Sequence, residues 1–396
     1  MAEDRYPDIL VGKKSMAPYP IDQARHVDKI TTRVVGDIKR LDSRDQGFTM
    51  AAHGRLGPAT QREFFRFGKK SPLVAGLSFD FGANFAPLRD GAVFPTRAPL
   101  PDDPAITSAH IKELGYFLKA QAVGICELPA WAVYSNDQEG QPITLDHKYA
   151  IVLLSEWDYE TMAGSNGHDW ISNAESFLTY NASAHMACSM AAYIRRLGFP
   201  AKAHFQSGPI PAYDMVVTPL VVLAGLGELN RAGWALNPDL GGRFKAAIVT
   251  TDLPLVPDRP LDIGVQAFCR VCKRCAESCP SKAISSADDK VEHNGYLAWP
   301  LDMARCTKYR VANRNGAGCG MCVKSCPWNK PPGWTHDAVR WTIRTAPALN
   351  PLIVKLDKFL GYGRQDRKWK WWFDFEAGDG EIHMARGSRH NDEWQE

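Results

Sequence analysis

The sequence predicts a mixed α+β core with some α/β character, followed by a small cysteine-rich module. Between residues 105 and 262, segments with helical periodicity alternate with short apolar runs, as expected for a sheet that is covered by helices. Eight of the ten cysteines then fall between residues 269 and 326, which indicates a ligand-bearing module. At 396 residues and 45% apolar content, the chain has enough material for one large domain and a smaller module.

The predicted core lies between two flanking segments. Residues 1–104 are rich in Pro and Gly, and we expect an irregular layer that wraps a larger body. A first helix should follow with Thr107 or Ser108 as its N-cap. The continuous apolar run in "KYAIVLLSEW" predicts a strand that is covered on both faces, and "KAAIVTTDLPLV" predicts another. The aromatic-rich residues 336–396 should pack back on the core, since aromatic side chains are rarely left in water.

A second helix is predicted over "ISNAESFLTYNASAHMACSMAAYIRRLGF", ending at Gly198. Its middle is crowded with Ala, Ser and Asn. Small side chains on a helix allow a close approach, either by another helix or by a planar cofactor. The residues alone leave both interpretations open.

Charge and hydropathy restrict the classes of function. Charged residues make up 23% of the chain, the formal net charge is +3, and Lys and Arg are scattered, which argues against a dedicated nucleic-acid binder. No continuous apolar stretch is long enough to span a bilayer, and the N-terminus lacks the pattern of an export signal. We therefore expect a cytoplasmic protein whose clustered cysteines are ligands before they are disulfides.

The first cysteine motif reads Cys269-x2-Cys272-x2-Cys275-x3-Cys279-Pro. This is the spacing of bacterial two-cluster ferredoxins, in which the fourth cysteine ligates the other cluster. Zinc sites use two pairs of cysteines separated by a longer loop and have no use for a third cysteine three residues on. The motif therefore predicts an iron–sulfur cluster.

The second motif, Cys319-x2-Cys322-x3-Cys326-Pro, lacks a first ligand at the usual place, and Cys306 is the nearest spare thiol. The cross-ligation pattern then predicts two [4Fe–4S] clusters within a module over residues 263–335. The first cluster takes Cys269, Cys272, Cys275 and Cys326, and the second takes Cys279, Cys306, Cys319 and Cys322. The remaining Cys126 and Cys188 are interpreted as small buried apolar residues.

Two clusters form a short path for electrons, so the large body should hold the site that uses them. The glycine-rich run "GLGELNRAG" fits neither the dinucleotide-binding nor the P-loop pattern, so no nucleotide cofactor is predicted.

One long segment is similar to a known family. "AGLGELNRAGWALNPDLGGRFKAAIVTTDLPLVPDRPLDIGVQAFCRVCKRCAESCPSKAIS" resembles the segment that leads into the first cluster of corrinoid-dependent reductive dehalogenases. "WDYE" and the small-residue helix resemble further family segments, so that the similarity spans roughly residues 105–330. The related epoxyqueuosine reductases continue the glycine turn differently, which favours the dehalogenase branch.

The resemblance implies a nitroreductase-like core over residues 105–262 that binds a base-off, cobalamin-type corrinoid, and reductive removal of halide from an organohalide. It implies that Tyr180 donates the proton and that Lys245 or Arg243 is its basic partner. In an extended stretch these two basic side chains would lie on the same face. His204, Gln206 and Tyr213 are candidates for a further polar residue. The glycine turn and its neighbours are expected to bind the cofactor: Gly225, Gly227, Glu228 and Arg231.

Two other functions remain open at this point. One is an epoxyqueuosine-reductase-like reductase that acts on a modified nucleoside in tRNA, and the other is a non-catalytic electron carrier. No plant-type ferredoxin spacing follows Cys326, so we expect a separate electron donor such as a ferredoxin or flavodoxin with its reductase.

Overall fold

The centre of the protein is a four-stranded antiparallel sheet with the strand order β1-β2-β6-β3. The computed structural model describes residues 15–19, 25–67, 71–165, 171–206, 213–312, 318–369, 375–378 and 381–384. The strands of this sheet and of three two-stranded ribbons are β1 (Ala122–Glu127), β2 (Tyr149–Glu156), β3 (Ala201–His204), β4 (Glu228–Leu229), β5 (Ala235–Leu236), β6 (Phe244–Thr251), β7 (Val291–His293), β8 (Tyr296–Ala298), β9 (Phe375–Gly378) and β10 (Glu381–Met384).

Helices surround the sheet and build the cysteine-rich module. The predicted long helices are present. In the described part of the N-terminal region, the helices Gly47–Ala52 and Pro58–Arg66 are short, but four helical segments, Pro72–Ala75, Gly76–Phe81, Gly82–Phe85 and Ala86–Leu88, follow one another without a break where the sequence predicted an irregular layer. The helices are α1 (Gly47–Ala52), α2 (Pro58–Arg66), α3 (Pro72–Ala75), α4 (Gly82–Phe85), α5 (Pro104–Phe117), α6 (Tyr159–Gly164), α7 (Ile171–Arg196), α8 (Val217–Leu223), α9 (Val265–Cys272), α10 (Arg274–Glu277), α11 (Met303–Ala312), α12 (Met321–Lys324), α13 (Trp334–Thr345) and α14 (Asn350–Phe359).

The two central strands are buried on both faces, as their apolar runs predict. On one face, Ile151 and Val249 pack against α7. On the other, Val152 and Ile248 share an apolar cluster with Leu220 of α8 and with residues of the cysteine module. Because every neighbouring pair in this sheet is antiparallel, the core is α+β rather than α/β.

The small residues of α7 serve the packing of the helix on the sheet. Ala184, Ala187 and Ala191 are fully buried and share the cluster of Ile151 and Val249. The close approach is therefore made by a sheet at these positions, and neither another helix nor a planar cofactor is needed to explain them.

One local prediction was wrong. The N-cap of α5 is Asp103, whose side chain accepts the N–H of Ala105, and Pro104 is the first helical residue. Thr107 and Ser108 lie inside the helix, where the Ser108 hydroxyl donates to the Pro104 carbonyl. An acidic N-cap followed by Pro was a stronger start signal than the later hydroxyl residues.

The flanking segments contact both the core and the module. In the N-terminal segment, Val27 N–H donates to the Pro260 carbonyl and Val34 pairs with Tyr296. At the other end, α14 packs on α9 through Val354, and Gln365 donates to the Gly164 carbonyl at the end of α6. Residues 370–374 of the predicted aromatic tail lie outside the described residues. Within the described ranges, no helix combines the length and hydropathy needed to cross a membrane.

Candidate functional site: two cysteine groups beside a tyrosine–lysine pair

The first group of thiols contains cysteines of both sequence motifs. Burial raises the pKa of the Cys272 thiol, and the charges of Cys326 and Cys269 raise it further. Burial likewise raises the pKa of Cys275, with Cys269 and Cys326 as the next causes. Cys326 therefore lies with three cysteines of the first motif, although it belongs to the second.

The second group collects the other four cysteines. Burial and then the charge of Cys306 raise the pKa of Cys322 to about 11, and burial and then Cys322 raise that of Cys319 to about 12. Cys279 differs: burial would raise its pKa, but hydrogen bonds from Ser281 and from backbone N–H groups lower it overall. Its sulfur accepts the Ala283 N–H at 3.3 Å, a contact that stabilises a ligating thiolate.

The first thiol group lines a small cavity together with Cys322, Trp234 and Phe268. In the described part of the chain, no three His, Cys, Asp or Glu side chains converge on a single-ion position. The grouping of cysteines from both motifs fits the cross-ligation of a two-cluster iron–sulfur module.

Tyr180 and Lys245 lie together at the edge of the second cysteine group. Tyr180 lies in α7, and Lys245 is the second residue of β6. The Lys245 Nζ is 4.6 Å from the centre of the Tyr180 ring and 4.5 Å from that of Trp157. Gly320 follows Cys319 directly, and a Cβ added to it would lie 3.9 Å from the Trp157 ring. The Trp157 ring that contacts Lys245 is therefore next to the second thiol group.

Comparisons with known proteins agree with this architecture. Residues 268–329 match the model of a 4Fe–4S double cluster binding domain. The tetrachloroethene reductive dehalogenase of Desulfitobacterium hafniense is 36% identical over 225 residues, which cover 54% of this chain and 39% of that protein. The solved catabolic reductive dehalogenase NpRdhA, in complex with 3-bromo-4-hydroxybenzoic acid, superposes with a TM-score of 0.87 at 39% identity, over 94% of this chain and 53% of that chain.

The chain is thus similar to reductive dehalogenases over 94% of its own length. A further structure, described as suggesting a mechanism for B12-dependent dehalogenation, superposes with a TM-score of 0.86 and 39% identity over 94% of this chain and 53% of that one. The chain thus spans about half the length of the solved dehalogenases and less of the curated one.

Of the two candidate basic partners, only Lys245 contacts Tyr180. Arg243 lies directly before β6, and its carbonyl accepts the Trp157 N–H, so the pairing with the β2 side continues through it. Its guanidinium donates to Glu156 at 2.7 Å and to the Trp157 carbonyl at 2.6 Å. That its side chain lies on the same face as that of Lys245 stays a prediction.

Burial and two neighbouring side chains shift the pKa of Lys245. Burial lowers its pKa, Tyr180 partly opposes this effect, and the positive charge of Arg310 adds to the lowering. The hydroxyl of Tyr213 donates to the Ala246 carbonyl at 2.8 Å, and its pKa is raised by burial first and by Tyr180 next. Tyr213 is therefore the member of the three additional polar candidates that lies beside Tyr180.

His204 and Gln206 are placed differently. His204 is fully buried, with Nε2 2.9 Å from the Thr250 hydroxyl and Nδ1 3.1 Å from the Asp214 carboxylate. Burial lowers its pKa to about 4, which keeps it neutral. These contacts hold His204, the last residue of β3, in the core of the protein. Gln206 is also buried, at the end of the described stretch that follows β3.

Glu228 and Arg231, predicted to bind the cofactor, attach the core to the cysteine module. Glu228 is fully buried and accepts the N–H groups of Ile263 and Val265 at the start of α9. The Arg231 guanidinium is 1% exposed and donates twice to the Cys269 carbonyl and once each to those of Ser285 and Ala287. It also lies 4.6 Å from the Trp299 ring, so its charge is held beside the first thiol group.

The glycines of the turn allow close backbone contacts. Gly225 has a φ of +68°, and a Cβ there would be 2.4 Å from the Arg259 carbonyl oxygen. A Cβ on Gly227 would be 2.5 Å from the Leu236 carbonyl oxygen. These contacts explain the need for glycine within the protein, and a cofactor-binding role for the turn stays a prediction.

Two residues that sequence reasoning missed complete the site. Trp157, the first residue of "WDYE", stacks on Lys245, and Arg310 lies 4.3 Å from the Phe48 ring. Arg310 follows the ligand Cys306 by four residues on α11 and so shares its helix face, which was the one available signal. Only the tertiary fold brings α11 to the vicinity of Lys245.

Unpaired donors surround the loop that carries Cys319. Trp157 Nε1, Asn173 Nδ2 and Arg310 Nε are buried and have no hydrogen-bond partner in the part of the chain that the structure describes. They gather at one loop, since Gly318 N–H donates to the Arg310 carbonyl and a Cβ on Gly318 would be 3.5 Å from Asn173. Buried donors of this kind require a partner. A corrinoid carries peripheral amide carbonyls, so this donor set fits such a group.

Proposed function

We propose that the protein is a reductive dehalogenase that uses two [4Fe–4S] clusters and a corrinoid. The reaction converts R–X, two electrons and a proton into R–H and halide. The observation that carries the proposal is the position of Tyr180 against Lys245, at the edge of the second thiol group. The same chain resembles solved dehalogenases over 94% of its length.

The eight module cysteines would hold the two clusters, with Cys326 and Cys279 exchanged between the motifs as described above. When bound, the corrinoid supplies a low-potential cobalt centre that reduces the carbon–halogen bond with electrons from the clusters. Its amides would be bound by Trp157, Asn173 and Arg310. The nitroreductase-like description of residues 105–262 is part of this proposal, and the antiparallel sheet under a long helix supports it.

Tyr180 would hold the proton that replaces the halogen. A phenol is a weak acid, so its transfer of a proton needs a nearby positive charge that stabilises the phenolate. Lys245 on β6 provides this charge, because its Nζ lies 4.6 Å from the centre of the Tyr180 ring. Aromatic side chains partly shield the half-buried pair from solvent, which strengthens the interaction.

The side chains around the pair favour an anionic haloaromatic substrate. A row of aromatic rings leads away from Tyr180. The ring centres of Tyr180 and Phe177 are 6.3 Å apart, those of Phe177 and Phe67 are 6.3 Å apart, and those of Phe67 and Phe48 are 5.6 Å apart. Arg310 stands over Phe48 at the end of this wall and adds a second cation to Lys245. A flat ring with a phenolate or carboxylate would meet aromatic surface and positive charge together. The hydroxybenzoate ligand of the solved relative has this chemistry.

The test is halide release by anaerobically reconstituted protein with reduced viologen as the donor. Halophenols, halobenzoates and haloalkenes form the panel, and we expect release from the anionic haloaromatics. Tyr180→Phe should lose at least 100-fold in rate, a typical contribution of general acid catalysis.

The matched control is Tyr193→Phe, on the same helix but bonded to His110 at the protein surface, which should retain full activity. If both variants keep wild-type rates, or if no member of the panel releases halide, the proposal is wrong. Reduction of an epoxyqueuosine-containing tRNA stem in place of halide release would assign the alternative enzyme function. Iron without bound corrinoid would leave only the electron carrier.

A further inference from the structure

The outer face of α14 is an exposed apolar stripe. Leu352, Leu356 and Phe359 repeat at helical spacing and are 63%, 49% and 86% exposed. Leu349 extends the stripe into the preceding turn. Scattered exposed apolar residues need no explanation, but an aligned row of large ones on one helix marks an interaction surface.

The inner face of the same helix covers the first cysteine group. Val354 packs in the cluster that contains Phe268, Cys269 and Cys272 of α9. The buried carboxylate of Asp357 lies 2.8 Å from Lys330 Nζ and 3.6 Å from Arg274 Nε, which fixes the helix to the module. The first cluster is thus separated from the exposed stripe by a single helix, roughly 10 Å thick.

The segment that carries the stripe has an excess of basic residues, of which Lys358 is paired with Glu277 and Arg340 with Asp337. Residues 334–364 contain five basic and two acidic residues, a net charge of +3 that equals the net charge of the whole chain, so the rest of the chain is balanced. One of the two acids is the buried Asp357. Lys355 stands in the stripe itself, between Leu352 and Phe359, and is exposed.

The two thiol groups have different surroundings. The second group influences Lys245 through Cys322, next to Tyr180, whereas the first lies beneath α14. If the proposed function holds, electrons leave the module at the second cluster and must enter it at the first. The exposed stripe lies above this point of entry.

We propose that the outer face of α14 docks a small acidic one-electron carrier protein. The apolar stripe supplies desolvated contact area, and the basic residues select a negatively charged surface and speed the encounter. A second copy of this chain fits less well, because two such faces would bring their excess positive charges together. The inference rests on the proposed function only for the direction of electron flow.

The experiment follows reduction of the holoprotein's clusters by a reduced acidic [4Fe–4S] ferredoxin, using stopped-flow absorbance and no organohalide. Phe359→Ser removes the most exposed apolar side chain, and Lys355→Glu reverses the central charge. Each should lower the second-order rate constant about tenfold or more at low ionic strength. Lys355→Glu should also weaken the salt dependence. Reduction by dithionite, a small reductant, should not change in either variant.

Matched controls lie on two other helices, α5 and α2. Phe117→Ser replaces a side chain that is 64% exposed, and Arg62→Glu reverses an exposed charge on α2, so both should retain the wild-type rate. Wild-type rates in both α14 variants, or equal losses in the controls, would overturn the docking proposal. A dimer that Phe359→Ser dissociates would assign the face to a second copy and also overturn it. Since no halide is measured, normal reduction by ferredoxin without dehalogenation would count against the proposed function alone.

Discussion

Replacing Lys245 with Met should reduce activity strongly without lowering the stability of the fold. The ammonium lies 4.6 Å from the centre of the Tyr180 ring. With that separation and an effective dielectric constant of about 20, Coulomb's law gives roughly 3.6 kcal/mol for its interaction with a phenolate. The loss of this stabilisation corresponds to a rate that is roughly 400-fold lower. Met keeps the aliphatic length of the side chain, so packing against Trp157 is retained.

The effect on stability has the opposite sign. Burial lowers the pKa of Lys245, so the folded protein binds this proton less tightly than the unfolded chain does. The free energy of unfolding contributed by this group therefore rises with pH, and at neutral pH the buried charge is a cost. Lys245→Met removes that cost, and its midpoint of thermal unfolding should equal or exceed that of the wild type.

The assay combines three measurements on protein with matched iron and cobalt content. These are the rate of halide release, the thermal midpoint, and the dependence of the rate on pH, which should fall as pH rises through the lowered pKa of Lys245. Lys112→Met is the control, because it breaks an ion pair with Asp258 far from Tyr180 and should lose stability but not activity. A Lys245→Met protein that keeps a third of the wild-type rate would refute the argument.

Three further outcomes follow from the same structure. Cys326→Ser should lose the first cluster and keep the second, and Cys279→Ser should do the reverse, each leaving about four irons per chain. Electron paramagnetic resonance of the reduced protein identifies which cluster is left. The opposite assignment would contradict the exchange of Cys326 and Cys279 between the two motifs. Arg231→Met removes the donor to four backbone carbonyls, of which that of Cys269 is buried, and should lower the free energy of unfolding by about 3 kcal/mol in a denaturant titration. Arg231→Lys should not restore it fully. An unchanged midpoint would show that the contacts carry no stability. The pKa of His204 is lowered from 6.5 to about 4, so the free energy of unfolding should fall by roughly 3 kcal/mol as the pH falls from 6.5 to 4. His204→Gln should flatten this part of the profile of stability against pH. Equal acid sensitivity in the wild type and the variant would contradict this assignment to His204.

Local patterns were sufficient for much of the fold. The apolar runs of β2 and β6 predicted strands that are buried on both faces, and both are central in the sheet. The cysteine spacing predicted a double-cluster module, and the match over residues 268–329 confirms it. The start of α5 was misplaced by a few residues, since several adjacent residue types can cap a helix and the choice depends on side-chain geometry.

The candidate site was less accessible to sequence reasoning. Tyr180 and Lys245 were named by resemblance, but whether Lys245 or Arg243 meets the tyrosine depends on tertiary contacts. Arg310 carried no signal beyond its spacing from Cys306. The side chains of Glu228 and Arg231 bond to the module, and their predicted role in cofactor binding stays a prediction.

By itself, the sequence determined a double-cluster cysteine module and the main strands and long helices of the core. These features depend on spacing of a few residues, which local geometry of the backbone converts directly into position. Only the tertiary structure decided which charged groups meet Tyr180, which thiol group adjoins them, and which apolar face of α14 stays uncovered. Such contacts join residues far apart in the chain, and burial, which sets their electrostatics, exists only once the chain has folded.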